Sequence, residues 1–550
     1  MPTPGLEFKI QRPAAVAATT RADVAVFAGL IARRTGPLPA QLASLLAAAG
    51  WREGGSFPVR AAQLNALLGV PVAVESWAEF DALFDWKSRA PVPGALERLP
   101  CPLGLAVRQF FLQGGARAWV IRCGDPLPLT DSSLDTDAFR EIQLSALGGP
   151  VAGTVDAQPI LPGFHDRSLP ADPLDAATWK GAAAIYAIDD AAMLLLPDLP
   201  DLAAGPARIM EPPPEPPGPP EAFRPCAPSV AAEETPAVRD AKPRYRAPRL
   251  ARNGYRLWSS ALQHALEMLG RPRGPEHRRD VMVVSALPIP ETGFELPRGS
   301  EQWPLKVLVE KGNAGTDGAP LALFDSSAIG NARLQLGYPW FGTPDAATCP
   351  EGVQSPEGAL AGVIARLALE RGAFRSAAGR ALMSPVRLIP RLAGSDIARG
   401  SPGHADWLGD RLCIFAERRG RIELVSDATA AENRAWRKGG VSRLIGILLR
   451  ACRHVGEEFI FEPSGPALWG RVAGQVISVL EQLRALGAFN GLSADECYSV
   501  TCDRRTMTQA DIDAGRVRCE VVVNPASPIE RIIVTLALLE PLPALTVEAA

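Results

Sequence analysis

The chain is poor in histidine, tyrosine and methionine, with five, five and seven among 550 residues. Scarce histidine narrows the field for metal centres and general bases, since imidazole serves both most often. Only His264 and His277 lie near one another. No run of about 18 apolar residues is available for a membrane-crossing helix. The most apolar long stretch, "GVSRLIGILLRACRHV", is cut by three arginines. The start, "MPTPGLEFKIQRP", has no basic segment leading into an apolar one, so it does not read as a signal peptide. Neither sign of charge dominates: 57 Lys and Arg face 60 Asp and Glu, a net charge of −3. That balance argues against nucleic acid as a partner and against an acidic, solvating tail. Enzyme signatures are missing as well: no GxxxxGK[ST], GxGxxG after a strand, GxSxG or HExxH occurs. "EKGNAGTDGAP" (310–320) is glycine-rich, but no helix with a lysine follows it. The nine cysteines make no CxxC pair and no zinc spacing. They read as reduced thiols, and Cys497, Cys502 and Cys519 as small buried hydrophobes.

What is present is a large capacity for a core: 47% of residues are hydrophobic and 21% charged. The length allows two to four domains. Strand-like and helix-like segments alternate, which predicts α/β (α+β) architecture. "DVAVFAGL" (23–30) reads as a buried strand, 40–49 as a helix, and 70–86 as strand then helix. In 103–123 an apolar helix face ends at Gly114–Gly115, and "ARAWVIRC" follows as a strand. Residues 182–202 read as strands near a sheet edge. "EPPPEPPGPP" (211–220) holds seven prolines in ten residues, so 201–250 is expected to be a linker crossing a surface. Beyond it, 254–269 and 358–374 read as helices and 279–287 as a strand. The expected division is an N-terminal arm (1–22), an N-terminal α/β region (23–200), the linker (201–250), a middle α/β region (251–390), a C-terminal domain (391–526) and a C-terminal strand with its tail (527–550).

The C-terminal part is the most regular. A strand pair is expected at 410–417 and 421–427. An amphipathic helix follows at 442–455, with Leu444, Ile445, Leu448, Leu449 and Cys452 on one face and Arg443, Arg450 and His454 on another. "EEFIFEP" reads as a strand, and 466–489 as a helix with Pro466 in its first turn. "CYSVTC" and "RCEVVVNP" read as strands. From Arg434 to Arg453 six basic residues (Arg434, Arg437, Lys438, Arg443, Arg450, Arg453) occur with no acidic one. Such a run is either a solvated helix face or a patch that steers an acidic partner. "TMTQADIDAGR" places Asp511 and Asp513 beside Gly515, with Asp503 upstream. It fails as a calcium loop, because a loop starting at Asp511 has Gly515 at its fifth position and Val522 at its twelfth. A capped helical turn closed by Gly515 fits better. At the two ends, Leu6, Phe8 and Ile10, and again Ile532, Val534, Leu536 and Leu538, alternate along tethered strands. Each strand can pair within its own domain or complete a sheet in another chain.

Residues 436–538 closely resemble the C-terminal domain of contractile tail sheath proteins of myophage tails, R-type pyocins and extracellular contractile injection systems. The resemblance rests on Arg443–Leu444 opening a helix, on Phe461–Glu462–Pro463, on Trp469, and on the run from Cys502–Asp503 through Thr506–Met507–Thr508–Gln509 to Asp511–Ile512–Asp513 and Gly515. Two further segments, 105–123 and 355–379, resemble other parts of the family. Gly439–Gly440 departs from it, as does "PGLEFKI" near the start. The resemblance implies a multi-domain sheath fold with an inner C-terminal domain and extended arms. It also implies a structural role without cofactor or catalysis. Subunits of the family stack in rings around an inner tube, exchange arm strands with neighbours, and contract to drive the tube through an envelope. The implied partners are further copies of the chain, the inner tube protein, and baseplate and terminal cap proteins; a paralogue serving as a baseplate or terminal-ring adaptor is the alternative. Assembly in a bacterial cytoplasm, as part of a phage tail or a tail-like particle, is implied too. A helix of the inner domain faces the tube in this family, which makes Arg437, Lys438, Arg443 and Arg450 the expected tube contacts.

Overall fold

The computed structural model describes residues 21–149, 157–165, 171–210, 244–270, 277–291, 332–392, 408–431 and 433–526. The terminal strands carrying Leu6, Phe8, Ile10, Ile532, Val534, Leu536 and Leu538 lie outside the described residues, as does the proline-rich stretch 211–243.

Strands β1 (Ala25–Leu30), β2 (Val72–Val74), β3 (Ala118–Gly124), β4 (Met193–Leu195), β5 (Met282–Ala286), β6 (Leu334–Tyr338), β7 (Arg380–Ala381), β8 (Cys413–Arg418) and β9 (Arg421–Leu424) build one nine-stranded sheet. Its order is β7–β9–β8–β6–β5–β4–β1–β3–β2. The inner strands from β8 to β3 run parallel. Strand β2 closes one edge antiparallel, and the β9–β7 pair closes the other. Parallel strands need cover on both faces and therefore read as continuous apolar runs. "AVFAGL" of β1 is such a run, and all six of its residues are buried. Helix α1 (Pro102–Leu112) covers the Phe27 side of β1 through an edge-to-face contact of Phe27 with Phe110. Helix α2 (Arg252–Gly270) brings Tyr255, Trp258 and Leu262 into the same core. Helix α3 (Glu357–Arg371) lies against α1 at close range: a β-carbon on Gly358 would sit 2.2 Å from the Ala106 carbonyl oxygen. Between β8 and β9, Arg419 and Gly420 both have positive φ, the geometry that a two-residue hairpin turn requires.

Two expectations along the chain are corrected, and the expected division gains detail. The sheet takes strands from Ala25 to Leu424, so it draws on 23–200, 251–390 and the start of 391–526 together. Patterning along a chain reveals strands but not which of them share hydrogen bonds. The described ends of the 201–250 segment meet. Ile209 bridges Tyr245, and the Arg246 N–H donates to the Arg208 carbonyl at 2.9 Å, so the chain leaves and returns at one place. Within 182–202 only Met193–Leu195 is a strand; Gly181–Ala187 is 3-10 helix and Leu199–Ala204 is α-helix, with Pro200 in its first turn. "EEFIFEP" is not a strand either. The preceding helix runs on to Glu458, and Phe461 turns the chain at φ +74° with its side chain fully exposed.

After β9 the chain builds a C-terminal module. Helices α4 (Gly439–Glu458) and α5 (Pro466–Ala485) pack through Leu444, Ile447, Leu448, Val476, Leu480 and Leu483. A two-stranded antiparallel sheet follows, of β10 (Tyr498–Thr501) and β11 (Glu520–Val523), with the short helix α6 (Gln509–Asp513) between them.

Candidate functional site

Helix α4 is where the C-terminal module meets the sheet, and its basic residues explain how. Arg443 and Arg450 lie seven residues apart, hence on one helix face. That face is turned inward: Arg443 is 4% exposed and Arg450 6%. Arg443 makes five hydrogen bonds. It donates to Asp427 at 2.6 and 3.0 Å, to Gln335 Oε1 at 3.1 Å, and to the carbonyls of Ala373 and Arg375 at 2.8 and 3.0 Å. Asp427 also accepts from Gln335 Nε2 and from the Ala377 N–H, both at 2.8 Å. Burial alone would push the Asp427 carboxyl up. The Arg443 guanidinium and the two further donors outweigh burial and hold it below the ordinary carboxylate range.

About two and three turns further on, Arg450 and Arg453 gather around Asp280, whose side chain is fully buried. Arg453 Nη2 is 2.8 Å from its carboxylate, Arg278 Nε 3.4 Å and Arg450 Nη1 3.7 Å. Burial pushes this carboxyl up too, but Arg278, Arg453 and Arg450 together hold it below its usual range. Arg450 also reaches the start of the described chain, where its Nη2 donates to the Arg21 carbonyl at 2.8 Å. Arg21 pairs with the buried Asp23, and Ala22 packs into the α4–α5 core.

The expected contact residues therefore separate. Arg443 and Arg450 do not form an exposed patch; they are buried joints. Their acids were invisible to a reading of local charge because Asp427 lies 16 residues upstream and Asp280 170 residues upstream. Arg437 and Lys438 are half-buried, ahead of α4, and Arg437 Nε donates to the Ala431 carbonyl. Gln335, a buried polar residue inside an apolar strand, was the one signal in the sequence that could have pointed to the joint.

The acidic turn is resolved as a cap. The Thr508 hydroxyl and the Asp511 carboxylate each bond the other's backbone N–H, a reciprocal capping box at the start of α6. Asp511 is held below the usual carboxylate range, first by the Thr508 hydroxyl and then by the Thr508 N–H. Asp503 pairs with Arg505, and Asp513 accepts from Gln509. Among the described residues no group of three potential ligands could hold a metal ion. Met507 anchors the turn against Leu468, Trp469 and Cys502.

The β10–β11 pair has a different character. Tyr498, Val500, Val521 and Val523 pack toward the α4–α5 core, while Ser499 and Val522 are exposed. Among the described residues neither strand has a second neighbour, so both edges are open. An isolated two-stranded sheet is marginally stable in water, and open edges are templates for further strands. Just past β11 the chain is pinned: Asn524 N–H donates to Cys497 O, Asn490 N–H to Asn524 O, and Ala526 N–H to Ala488 O.

Comparison with known proteins points in one direction. The family model of the phage tail sheath C-terminal domain matches residues 431–538. In fold, the chain is similar to a chain of the anti-feeding prophage baseplate in its contracted state, with TM-score 0.54, 18% identity, and coverage of 98% of this chain and 99% of that one. It is also similar to a chain of the anti-feeding prophage helical sheath in its contracted state, with TM-score 0.50, 16% identity, and 98% and 99% covered. No curated protein matches the chain.

Proposed function

We propose that this chain belongs to the contractile tail sheath family, whose C-terminal domain model it matches over residues 431–538, and is a structural subunit that polymerises helically around an inner tube and contracts to drive it through a target envelope. The observation that carries this reading is the open-edged β10–β11 sheet lying beside the point where the C-terminal segment leaves the described residues. A strand from a neighbouring copy supplies the missing main-chain partners on either edge, and its apolar side chains extend the layer of Tyr498, Val500, Val521 and Val523 over the helices. The terminal segments are the natural donors. Leu6, Phe8 and Ile10 alternate in one, and Ile532, Val534, Leu536 and Leu538 in the other. A joint made by strand exchange stays connected while subunits rotate, which a contracting lattice demands.

The inner tube is the second partner. Since Arg443 and Arg450 serve the interior, the tube-facing charge falls to Arg437 and Lys438. Both are half-buried rather than enclosed, and ion pairs open to water on one side, roughly 0–1 kcal/mol each, suit a contact that guides assembly and then breaks. Baseplate and cap proteins complete the particle, which is assembled in the bacterial cytoplasm and can act after release. Likeness to a baseplate chain as well as to a helical sheath chain favours, as a second reading, a paralogue placed at the baseplate.

Deleting residues 527–550 tests the arm. The truncated chain should fold, with the circular dichroism of the full chain, and fail to form tubes; normal tubes would refute strand exchange by the C-terminal segment. Negative-stain images of the particles separate the two placements. Long tubes coated by this chain support the sheath subunit, and a single ring at one end supports the paralogue.

A further inference from the structure

Cys502 and Cys519 face each other one step beyond the last paired residues of the open-edged sheet. The pairing is Tyr498↔Val523, Ser499↔Val522, Val500↔Val521 and Thr501↔Glu520, and one more step in the same register sets these two residues opposite each other. Thr506 straps the continuation: its Oγ1 lies 2.9 Å from the Asp503 carbonyl and 2.8 Å from that of Arg518. The bond from Asn524 N–H to Cys497 O makes those two a hydrogen-bonded pair. Alternation along the ladder then makes 502 and 519 a non-hydrogen-bonded pair, where Cα atoms stand about 4.5 Å apart and side chains are closest. Disulfides span Cα separations of roughly 4.4–6.8 Å. Both thiols are reduced, and both lie in one apolar cluster. Cys502 is packed against Leu468, Trp469 and Met507, while Cys519 is half-buried and so remains reachable.

We propose that Cys502 and Cys519 are a redox pair that closes into a cross-strand disulfide once the protein meets a low-molecular-weight disulfide outside a reducing compartment. The Cys519 thiolate attacks one sulfur of the small disulfide and releases one small thiol. The Cys502 thiolate then displaces the second small thiol from the mixed disulfide. One S–S bond forms and one breaks, and the two protein thiol protons end on the two small thiols. Burial raises both thiols, Cys519 to about 12 with Cys502 beside it adding to the effect. Thiolate is therefore scarce and the exchange slow, which keeps the pair reduced during assembly. The bond staples β10 to β11 and closes the turn from Cys502 to Cys519. Its value to the particle rests on the strand-exchange reading: the sheet that accepts the arms is locked after they are in place. Formation of the bond does not rest on that reading.

The test uses the full-length, unassembled chain. It is incubated with oxidised glutathione at mildly alkaline pH, alkylated, and mapped by non-reducing peptide mass spectrometry. A peptide linking Cys502 to Cys519, with melting raised by about 5 °C and reversed by dithiothreitol, is the expected result. Cys519→Ser should show neither the link nor the shift. Cys452 lies on α4 near Cys519, so Cys452→Ala is mapped in parallel and should retain the link. Separate glutathione adducts on the two cysteines, a link from Cys452 to Cys519, or unreacted thiols after prolonged oxidation would overturn the proposal. Because the mapping is done on wild-type chain without polymerisation, its outcome is independent of whether the arm deletion assembles.

Discussion

Replacing Arg443 with alanine should detach the C-terminal module from the sheet more effectively than any surface change, and the damage should depend on pH. The substitution removes five hydrogen bonds and leaves Asp427 with only the Gln335 and Ala377 donors in a dry site. Breaking a buried pair from one side costs about 3–5 kcal/mol, because an uncompensated charge remains. In wild type the Asp427 carboxyl is held below its unfolded value. Its contribution is therefore present above about pH 4 and is lost as pH falls through the lowered folded value. Without Arg443 the sign inverts. Burial then raises the carboxyl above its unfolded value, so the folded variant holds a proton that the unfolded chain releases, and the variant loses stability as pH rises. The gap between the two proteins should accordingly widen from acid to neutral pH. Hydrogen exchange of the α4 amides reads the local opening directly. At pH 7.5 the variant should exchange roughly 10²–10⁴-fold faster than wild type, the equivalent of about 3–5 kcal/mol, and the ratio should fall by at least about tenfold at pH 5. Arg443→Met combined with Asp427→Leu should recover most of the loss, since no charge is left stranded. A change of less than about tenfold that is the same at both pH values would refute the view that this pair holds the module.

Asp198 offers the opposite linkage. It accepts the Leu30 N–H at 2.8 Å, and burial pushes its carboxyl up to about 7. An acid raised on folding contributes stability that is complete below about pH 4 and is lost as pH rises through 7. Asp198→Asn keeps the acceptor without the charge, so thermal melts should show the variant gaining on wild type by roughly 1 kcal/mol per pH unit between pH 4.5 and 7. The α4–α5 pair supplies a packing test. A β-carbon on Gly440 would fall 2.2 Å from the Phe374 carbonyl, whereas one on Gly474 meets nothing within 4 Å. Gly440→Ala should destabilise by about 1–3 kcal/mol, while Gly474→Ala should stabilise by up to about 1 kcal/mol; equal effects in urea titrations would refute the assigned docking face.

Much of this fold was legible because burial writes itself into local pattern. The apolar run of β1, the helices at 103–112, 254–269, 358–371 and 442–455, and the hairpin ending in Arg419–Gly420 all follow from period, caps and turn residues. The capped turn at Thr508 was legible for the same reason, since a capping box involves residues only three apart. The joint was not legible. A run of arginines with no nearby acid looks like a surface, and only the fold brings Asp427 and Asp280 to it. Gly439–Gly440, a departure from the family pattern in the sequence, becomes intelligible in the same place. The start of α4 is pressed against the Phe374 carbonyl on one side and Asp427 on the other, and side chains there would hold the helix off the sheet. The 457–463 segment misled for the converse reason: aromatic alternation suits a strand, but α4 runs on to Glu458, Phe461 then turns the chain, and among the described residues no strand pairs with it.

The joint also decides where tension would travel. Ala22, at the root of the N-terminal segment, and Ala488 and Phe489, beside the root of the C-terminal one, belong to a single apolar cluster with Phe374, Leu444 and Leu483. Arg450 ties the first root by its bond to the Arg21 carbonyl, and Ala488 ties the second by accepting from Ala526. On the strand-exchange reading, force entering by one arm reaches the other through α4, Leu483 and the end of α5. The nine-stranded sheet is joined to that path covalently, since Ala22 leads directly into β1, and through Arg443, Arg450 and Arg453. A buried, multiply bonded arginine suits such a branch point better than an apolar contact of equal area. Its directional bonds resist sliding and rotation of α4 on the sheet, whereas apolar packing alone permits both at little cost. The inward turn of the two arginines expected at the tube is thus what lets the module and the sheet move as one body.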